Sequence, residues 1–249
     1  MPQPRDRRVG LARALSKLGY CSRSQAAVLI RDGLVKLNGR PQRDPETPVD
    51  LAHDRILVRE QAPASAPKLY LMMNKPRGVV TTRQDERSRS TVYDLLPNAA
   101  PWLGPVGRLD KASEGLLLFT NDSEWAARVT DPQSHLEKTY HVQIGSVADD
   151  TQLHRLATGV SCGELGTLRA GRATLLRSGK RNSWIEVALS EGKNRQIRRM
   201  LEALGVEVLR LVRVAIGPLA LGDLAKGCSR PLTVGEKGAL DSALAGGRR

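Results

Sequence analysis

Asp110 is the residue whose neighbours best suit it to act as a reactive carboxylate. It lies in Pro105-Val106-Gly107-Arg108-Leu109-Asp110-Lys111-Ala112-Ser113-Glu114-Gly115, just before the apolar run Leu116-Leu117-Leu118-Phe119. The glycines let the backbone turn, and the apolar run reads as a buried strand. A carboxylate on such a loop is held by core structure and stays accessible. Arg108 and Lys111 surround it with positive charge. Pointed into a cleft, an ionised carboxylate of this kind is a competent nucleophile. The four residues Gly107 to Asp110 alone also fit an ordinary turn in which the Asp caps a backbone group and the Arg is solvated. The flanking sequence has to decide.

Two further stretches could join this chemistry. In Lys138-Thr139-Tyr140-His141-Val142-Gln143-Ile144 the pattern alternates, with Tyr140, Val142 and Ile144 on one strand face. A tyrosine there fits a core position, or a ring that stacks on a base and exchanges a proton through its hydroxyl. In Glu191-Gly192-Lys193-Asn194-Arg195-Gln196-Ile197-Arg198-Arg199-Met200, residues Ile197, Met200, Leu201 and Leu204 share one side of a helix that Gly205 ends. A turn of ~100° per residue sends Arg195 and Arg199 to the opposite side and leaves Arg198 at the border. A border arginine is able to lie half-buried and aim its guanidinium at a site; a basic solvated helix is the plain alternative.

The elements that must position these groups read as follows. Leu11, Leu15 and Leu18 repeat at helical spacing up to Gly19, and Ser22 with Gln25 forms a capping box for a second helix that ends near Gly33. Val35-Lys36-Leu37, the Asn38-Gly39 turn and Arg55-Ile56-Leu57-Val58 complete a small hairpin-like sheet. This module, residues 9–60, carries Arg23, Arg31 and Lys36. Residues 61–67, Gln-Ala-Pro-Ala-Ser-Ala-Pro, read as a linker. A second domain, 68–244, opens with a strand at Leu69–Met73 and the basic turn Lys75-Pro76-Arg77-Gly78. Residues 1 to about 8, and those after about Ala245, are expected to be disordered or frayed.

The 249 residues hold 39 Lys and Arg against 26 Asp and Glu, a formal charge of +13 with a pI near 10.2, so a polyanion is the first partner to consider. Aromatic residues make up only 3%, which argues against a broad platform for stacking unpaired bases and leaves binding to backbone electrostatics. Cys21, Cys162 and Cys228 are too few and too scattered for a disulfide framework. The four histidines form no ligand pair, so no metal is expected, and no dinucleotide motif points to a cofactor. No apolar run has membrane-spanning length, and the expectation is a cytoplasmic monomer.

The run Gly-Arg-Leu-Asp-x-x-Ser-Glu-Gly-Leu-Leu-Leu-Phe-Thr-Asn-Asp closely resembles the catalytic motif of RNA pseudouridine synthases of the RsuA/RluB/RluE/RluF type. Asn74–Thr82, Lys-Thr-Tyr-x-Val and Glu-Gly-Lys-Asn-Arg-Gln-Ile-Arg-Arg-Met resemble other motifs of that family in the same order. Leu18–Ala26 and Val35–Arg40 resemble the S4-type RNA-binding module that precedes many of its catalytic domains. The resemblance implies an α+β fold, in which a small α/β module precedes a catalytic domain whose mostly antiparallel sheet is split by a cleft. It implies Asp110 as catalytic carboxylate, Tyr140 packed on the target base, Arg198 as partner of Asp110, and Arg108 filling the space a flipped nucleotide leaves or holding phosphate. Lys75, Arg77, Arg23, Arg31, Lys36 and Arg195 would contact RNA. The implied reaction turns uridine in ribosomal RNA into pseudouridine, with Asp110 adding covalently to the ribose or removing its proton. A non-catalytic assembly factor on the same fold, or a hydrolase of the base–sugar bond, would share the RNA-binding features. The first would tolerate loss of Asp110, and the second would change the mass of the RNA.

Overall fold

A computed structural model of the chain describes residues 8–63, 66–83, 85–97 and 102–246. The readings made above for residues 1–7, for Ala64 and Ser65 of the linker, and for 247–249 lie outside that range. The chain forms two compact units.

The first unit comprises 8–70 together with 102–104 and 119–126. Its elements are β1 (Val9–Gly10), α1 (Leu11–Lys17), α2 (Arg23–Arg31), β2 (Val35–Leu37), β3 (Arg40–Gln42), β4 (Pro48–Val49) and β5 (Ile56–Val58). Ser22 caps α2 reciprocally: its hydroxyl accepts from the Gln25 amide at 3.1 Å, and its own amide donates to Gln25 Oε1 at 3.1 Å. Asn38 and Gly39, both at positive φ, make the tight turn between β2 and β3. β2 lies central in an antiparallel β3-β2-β5 sheet, and β1 pairs with β4. Leu11, Leu15, Ala26, Ile30 and Val35 are buried in one cluster. Segment 119–126 belongs here because the Asn121 amide holds both Pro67 O (2.9 Å) and Leu69 N (2.8 Å), while Glu124 pairs with Lys17 at 2.7 Å.

The remaining elements, of which β6, β7, β8 and α3 cross the sequence boundary between the units and the rest belong to the second, are β6 (Tyr70–Lys75), β7 (Gly104–Val106), β8 (Glu114–Thr120), α3 (Ser123–Thr130), β9 (Lys138–Ile144), α4 (Asp150–Thr158), β10 (Val160–Ser161), β11 (Thr167–Leu168), β12 (Arg172–Ser178), β13 (Ser183–Leu189), α5 (Gln196–Ala203), β14 (Val208–Ile216), β15 (Leu219–Ala220), β16 (Ser229–Pro231) and α6 (Val234–Gly246). The large sheet runs β12-β13-β9-β14-β8-β6-β16, with β15 beside β14 and β7 beside β8. Pairs β12–β13, β13–β9, β9–β14 and β6–β16 are antiparallel, and β14–β8 is parallel. The fold is therefore α+β with a mostly antiparallel sheet. Every residue of β8 is buried, which its apolar run predicts. Val142, Ile144, Ile185, Val187 and Leu211 of the sheet pack with Ile197, Met200 and Leu201 of α5. The last described element is α6, where Ala245 and Gly246 are still helical rather than frayed.

One close approach explains the glycine of the Ser-Glu-Gly run. A Cβ on Gly115, whose φ is +101°, would lie 2.2 Å from the Arg213 carbonyl oxygen. The parallel pairing of β8 with β14, in which Gly115 faces Arg213, therefore requires a residue without a side chain.

Candidate active site

The loop between β7 and β8 turns at Gly107 (φ +73°) and carries Arg108, Leu109 and Asp110. Five consecutive carbonyls of this loop, Leu109 to Ser113, have donors from separate parts of the chain. Thr81 Oγ1 donates to Leu109 O at 2.8 Å, and the Gly78 amide donates to Lys111 O at 2.8 Å. Lys75 Nζ donates to Asp110 O (3.2 Å), Ser113 O (2.8 Å) and Pro76 O (3.0 Å). Arg198 Nη2 donates to Ala112 O at 3.0 Å, and the Ser113 amide closes a turn on Asp110 O at 2.9 Å. With its backbone so tied, the loop presents the Asp110 side chain in one place.

This geometry corrects the reading of Lys75 as a phosphate contact. The side chain is wholly buried and its donors are taken by three carbonyls, so it holds the loop from within. Burial pushes the Lys75 ammonium down to about 8, with Asp110 and Glu114 pulling the other way. Arg77 is exposed, with Nη1 3.4 Å from Leu209 O, and Arg108 is exposed at the loop tip.

A cavity of about 300 Å³ opens beside the loop. Arg108, Asp110, Lys138, Tyr140, Arg195 and Arg213 line it, with Leu189, Ile197 and Leu211 among its apolar walls. Tyr140 is half-buried on β9, at the cavity end of the face whose Val142 and Ile144 enter the core. The sequence pattern thus brings Asp110 and Tyr140 to one cavity.

The arginines are arranged differently from the helical-wheel reading. Arg195 Nη1 stands 3.8 Å from Asp110 Oδ2, an ion pair between two partly exposed groups. The helix begins only at Gln196, and Arg195 precedes it in the left-handed region at φ 52°. Helical periodicity therefore does not apply to Arg195, and it swings toward the cavity instead of away. Arg198 is half-buried, as its border position suggested, and meets the loop two residues past Asp110. Burial, with help from Arg195 and Arg77 and against the pull of Asp110, moves its guanidinium below the usual value.

Two cations on the wall were not singled out from sequence. Lys138 shares a strand face with Tyr140, so the two-residue period could have found it. Burial, then the charge of Arg213, holds its ammonium below the ordinary value. Arg213 pairs across strands with Tyr140, and its Nε donates to Leu116 O at 2.7 Å. Behind it the wholly enclosed Glu114 binds Arg210 and Lys226. Burial raises that carboxyl, and the two cations more than reverse the effect. In the first unit Arg23 and Arg31 are exposed at the two ends of α2, while Lys36 on β2 pairs with Glu60 at 2.6 Å.

A basic two-unit chain with a carboxylate, a tyrosine and arginines around one cavity has clear relatives. Residues 69–203 match the RNA pseudouridylate synthase family and residues 9–56 the S4 domain. The chain belongs to the RNA pseudouridine synthases, isomerases that act on RNA. It is 35% identical over 225 residues to the ribosomal large subunit pseudouridine synthase B of Bacillus subtilis, covering 90% of this chain and 91% of that one. It is 37% identical over 222 residues to the protein of the same name from Shigella flexneri, covering 85% and 74%. A solved pseudouridylate synthase superposes with a TM-score of 0.66 at 31% identity, covering 93% of this chain and 99% of that one. Among the described residues, no helix is long and apolar enough to cross a membrane.

Proposed function

We propose that this chain isomerises a specific uridine of ribosomal RNA to pseudouridine, with Asp110 as the catalytic carboxylate. The supporting observation is the cavity itself, where Asp110 on a backbone-tied loop faces Tyr140 and lies beside Arg195. The target nucleotide must leave its stack before its ribose is reachable, at a cost of a few kcal/mol. Arg108, exposed beside Asp110, is placed to occupy the vacated space or hold a phosphate. Asp110 then acts at the ribose to promote cleavage of the base–sugar bond. The uracil, packed against Tyr140, turns and reattaches through carbon 5. Atoms are conserved throughout, so the chemistry calls for no electron or group carrier. Arg195 holds the carboxylate's charge at the cavity mouth, and Arg198 fixes the loop behind it. The S4 domain adds RNA affinity through Arg23, Arg31 and Lys36. We take it to work as a monomer in the cytoplasm, where ribosomal RNA is found. The names of the relatives make large-subunit RNA the first to map.

The test is Asp110→Asn, assayed by single-turnover conversion of ribosomal RNA beside a binding isotherm and a thermal melt. The partly exposed Asp110–Arg195 pair is worth less than about 1 kcal/mol, so folding survives. Conversion falls by about 10⁴-fold or more while RNA still binds. Near-normal conversion by a folded variant rules Asp110 out as the catalytic group.

A further inference from the structure

The Arg108–Lys111 loop has two sides, and only one of them faces the cavity described above. On the other lies a second cavity of about 390 Å³, formed by Val80, Thr81, Thr82, Asp85, Glu86, Arg87 and Arg89 together with Arg108 to Lys111. The two cavities share Arg108, Leu109 and Asp110 as a common wall. The second cavity offers one course for the backbone of an RNA strand whose nucleotide enters the first.

Its far wall is built rather than loose. Asp85 accepts from the amides of Arg87 (3.1 Å) and Arg89 (2.8 Å) and binds the Arg89 guanidinium at 2.6 to 3.1 Å. That guanidinium, with the two amides, holds the Asp85 carboxyl far below the usual carboxylate range. Val80 N donates to Ser90 O and Val92 N to Val80 O, both at 3.0 Å, closing the base of the segment. Thr81 exchanges hydrogen bonds with Leu109, so the segment is fastened to the residue next to Asp110. With Asp85 neutralised by Arg89 and Asp110 paired to Arg195, the remaining wall charges are Arg87, Arg108 and Lys111 against Glu86. All four are exposed. A net cationic hollow with polar walls and no aromatic ring among its described lining suits a sugar-phosphate better than a base.

We propose that this cavity is a subsite for the backbone phosphate of the nucleotide adjoining the one that enters the catalytic cavity, gripped by Arg87 and Lys111 together with Arg108. The inference deepens the reading of the chain as an RNA-modifying enzyme and rests on it. Its role is to fix the strand's register so that one nucleotide, and not its neighbour, meets Asp110. Glu86 opposes this binding from the same wall.

The test is a chemical mutant cycle with the full chain. A ribosomal RNA oligonucleotide is selected by its affinity for the wild-type chain. Single methylphosphonate linkages are then set between 2′-O-methyl nucleotides, each matched against the same oligonucleotide with an ordinary phosphate. In the wild type one or two adjacent linkages cost about three- to fivefold in affinity. In the Arg87→Ala, Lys111→Ala double variant the penalty at those linkages disappears, and penalties elsewhere persist. Glu86→Gln tightens binding of the unmodified strand by about twofold or more. Identical penalty profiles in wild type and double variant overturn the proposal, as does a wild-type profile with no sensitive linkage. Affinity is read whether or not the RNA is converted. Absence of pseudouridine on every ribosomal RNA would count against the reaction proposed above, not against the subsite.

Discussion

Lys75→Met tests whether the catalytic loop is held from inside the protein. Methionine has a similar length and no donor, so the change strands the carbonyls of Pro76 and Ser113, while Asp110 O keeps the Ser113 amide. Each such acceptor left unpaired costs about 1–3 kcal/mol, or about 4 kcal/mol for the two at mid-range. The variant also escapes the cost of burying an ammonium. A fall from 10.5 to about 8 sets that relief at about 3 kcal/mol. The difference predicts a loss of about 1 kcal/mol at pH 7, measured by urea denaturation. The pH dependence gives a second reading. Between about 8 and 10.5 the unfolded chain keeps a proton on Lys75 that the folded chain has released. Lys75 therefore makes the folded state more stable as pH rises through that window. The gap between wild type and variant, in which other groups cancel, widens from pH 8 to pH 10. Single-turnover conversion by the variant drops as well, because the Asp110 backbone has lost a donor. A variant still within about 1 kcal/mol of wild type at pH 10, with a gap that has stayed flat from pH 8, would refute the loop-holding role.

Arg198→Ala lowers conversion by about 10²-fold with little change in RNA affinity, and Arg198→Lys restores little of it, since an ammonium lacks the planar fork that reaches Ala112 O. Arg195→Ala is expected to weaken RNA binding and lower conversion together; an effect on affinity alone would detach Arg195 from Asp110. Arg23→Ala combined with Arg31→Ala reduces the slope of log affinity against log salt by about 1–2 and leaves the rate at saturating RNA unchanged. An unchanged slope would show that the ends of α2 do not meet phosphate. Gly115→Ala forces a Cβ against the Arg213 carbonyl oxygen and costs more than about 4 kcal/mol, so the thermal melt collapses. A melt within a few degrees of wild type would mean that the β8–β14 pairing is not as described.

What could be read from the sequence follows the range of the forces that write it. The Ser22–Gln25 cap, the Asn38-Gly39 turn, the buried run of β8 and the alternation of β9 each depend on residues within a few positions, and all are present. Arg213 depends instead on register. It joins the cavity because β14 pairs with β9 opposite Tyr140 and with β8 at Gly115, and no local pattern encodes either alignment. Lys75 was misread for a related reason. Lys-Pro-Arg-Gly looks like an exposed basic turn until β6 carries Lys75 to the interior end of its strand, under a loop thirty-five residues away. The Arg195 error was of another kind, a helix extended one residue too far across a left-handed backbone. These misses fall on cations around Asp110, and for a physical reason. A reactive carboxylate needs positive charge drawn from several segments at once, and the contacts that gather those segments are the ones sequence spacing cannot show. The loop's five satisfied carbonyls are the outcome of that gathering, which makes the backbone donors around Asp110 as much a condition of the chemistry as the carboxylate itself.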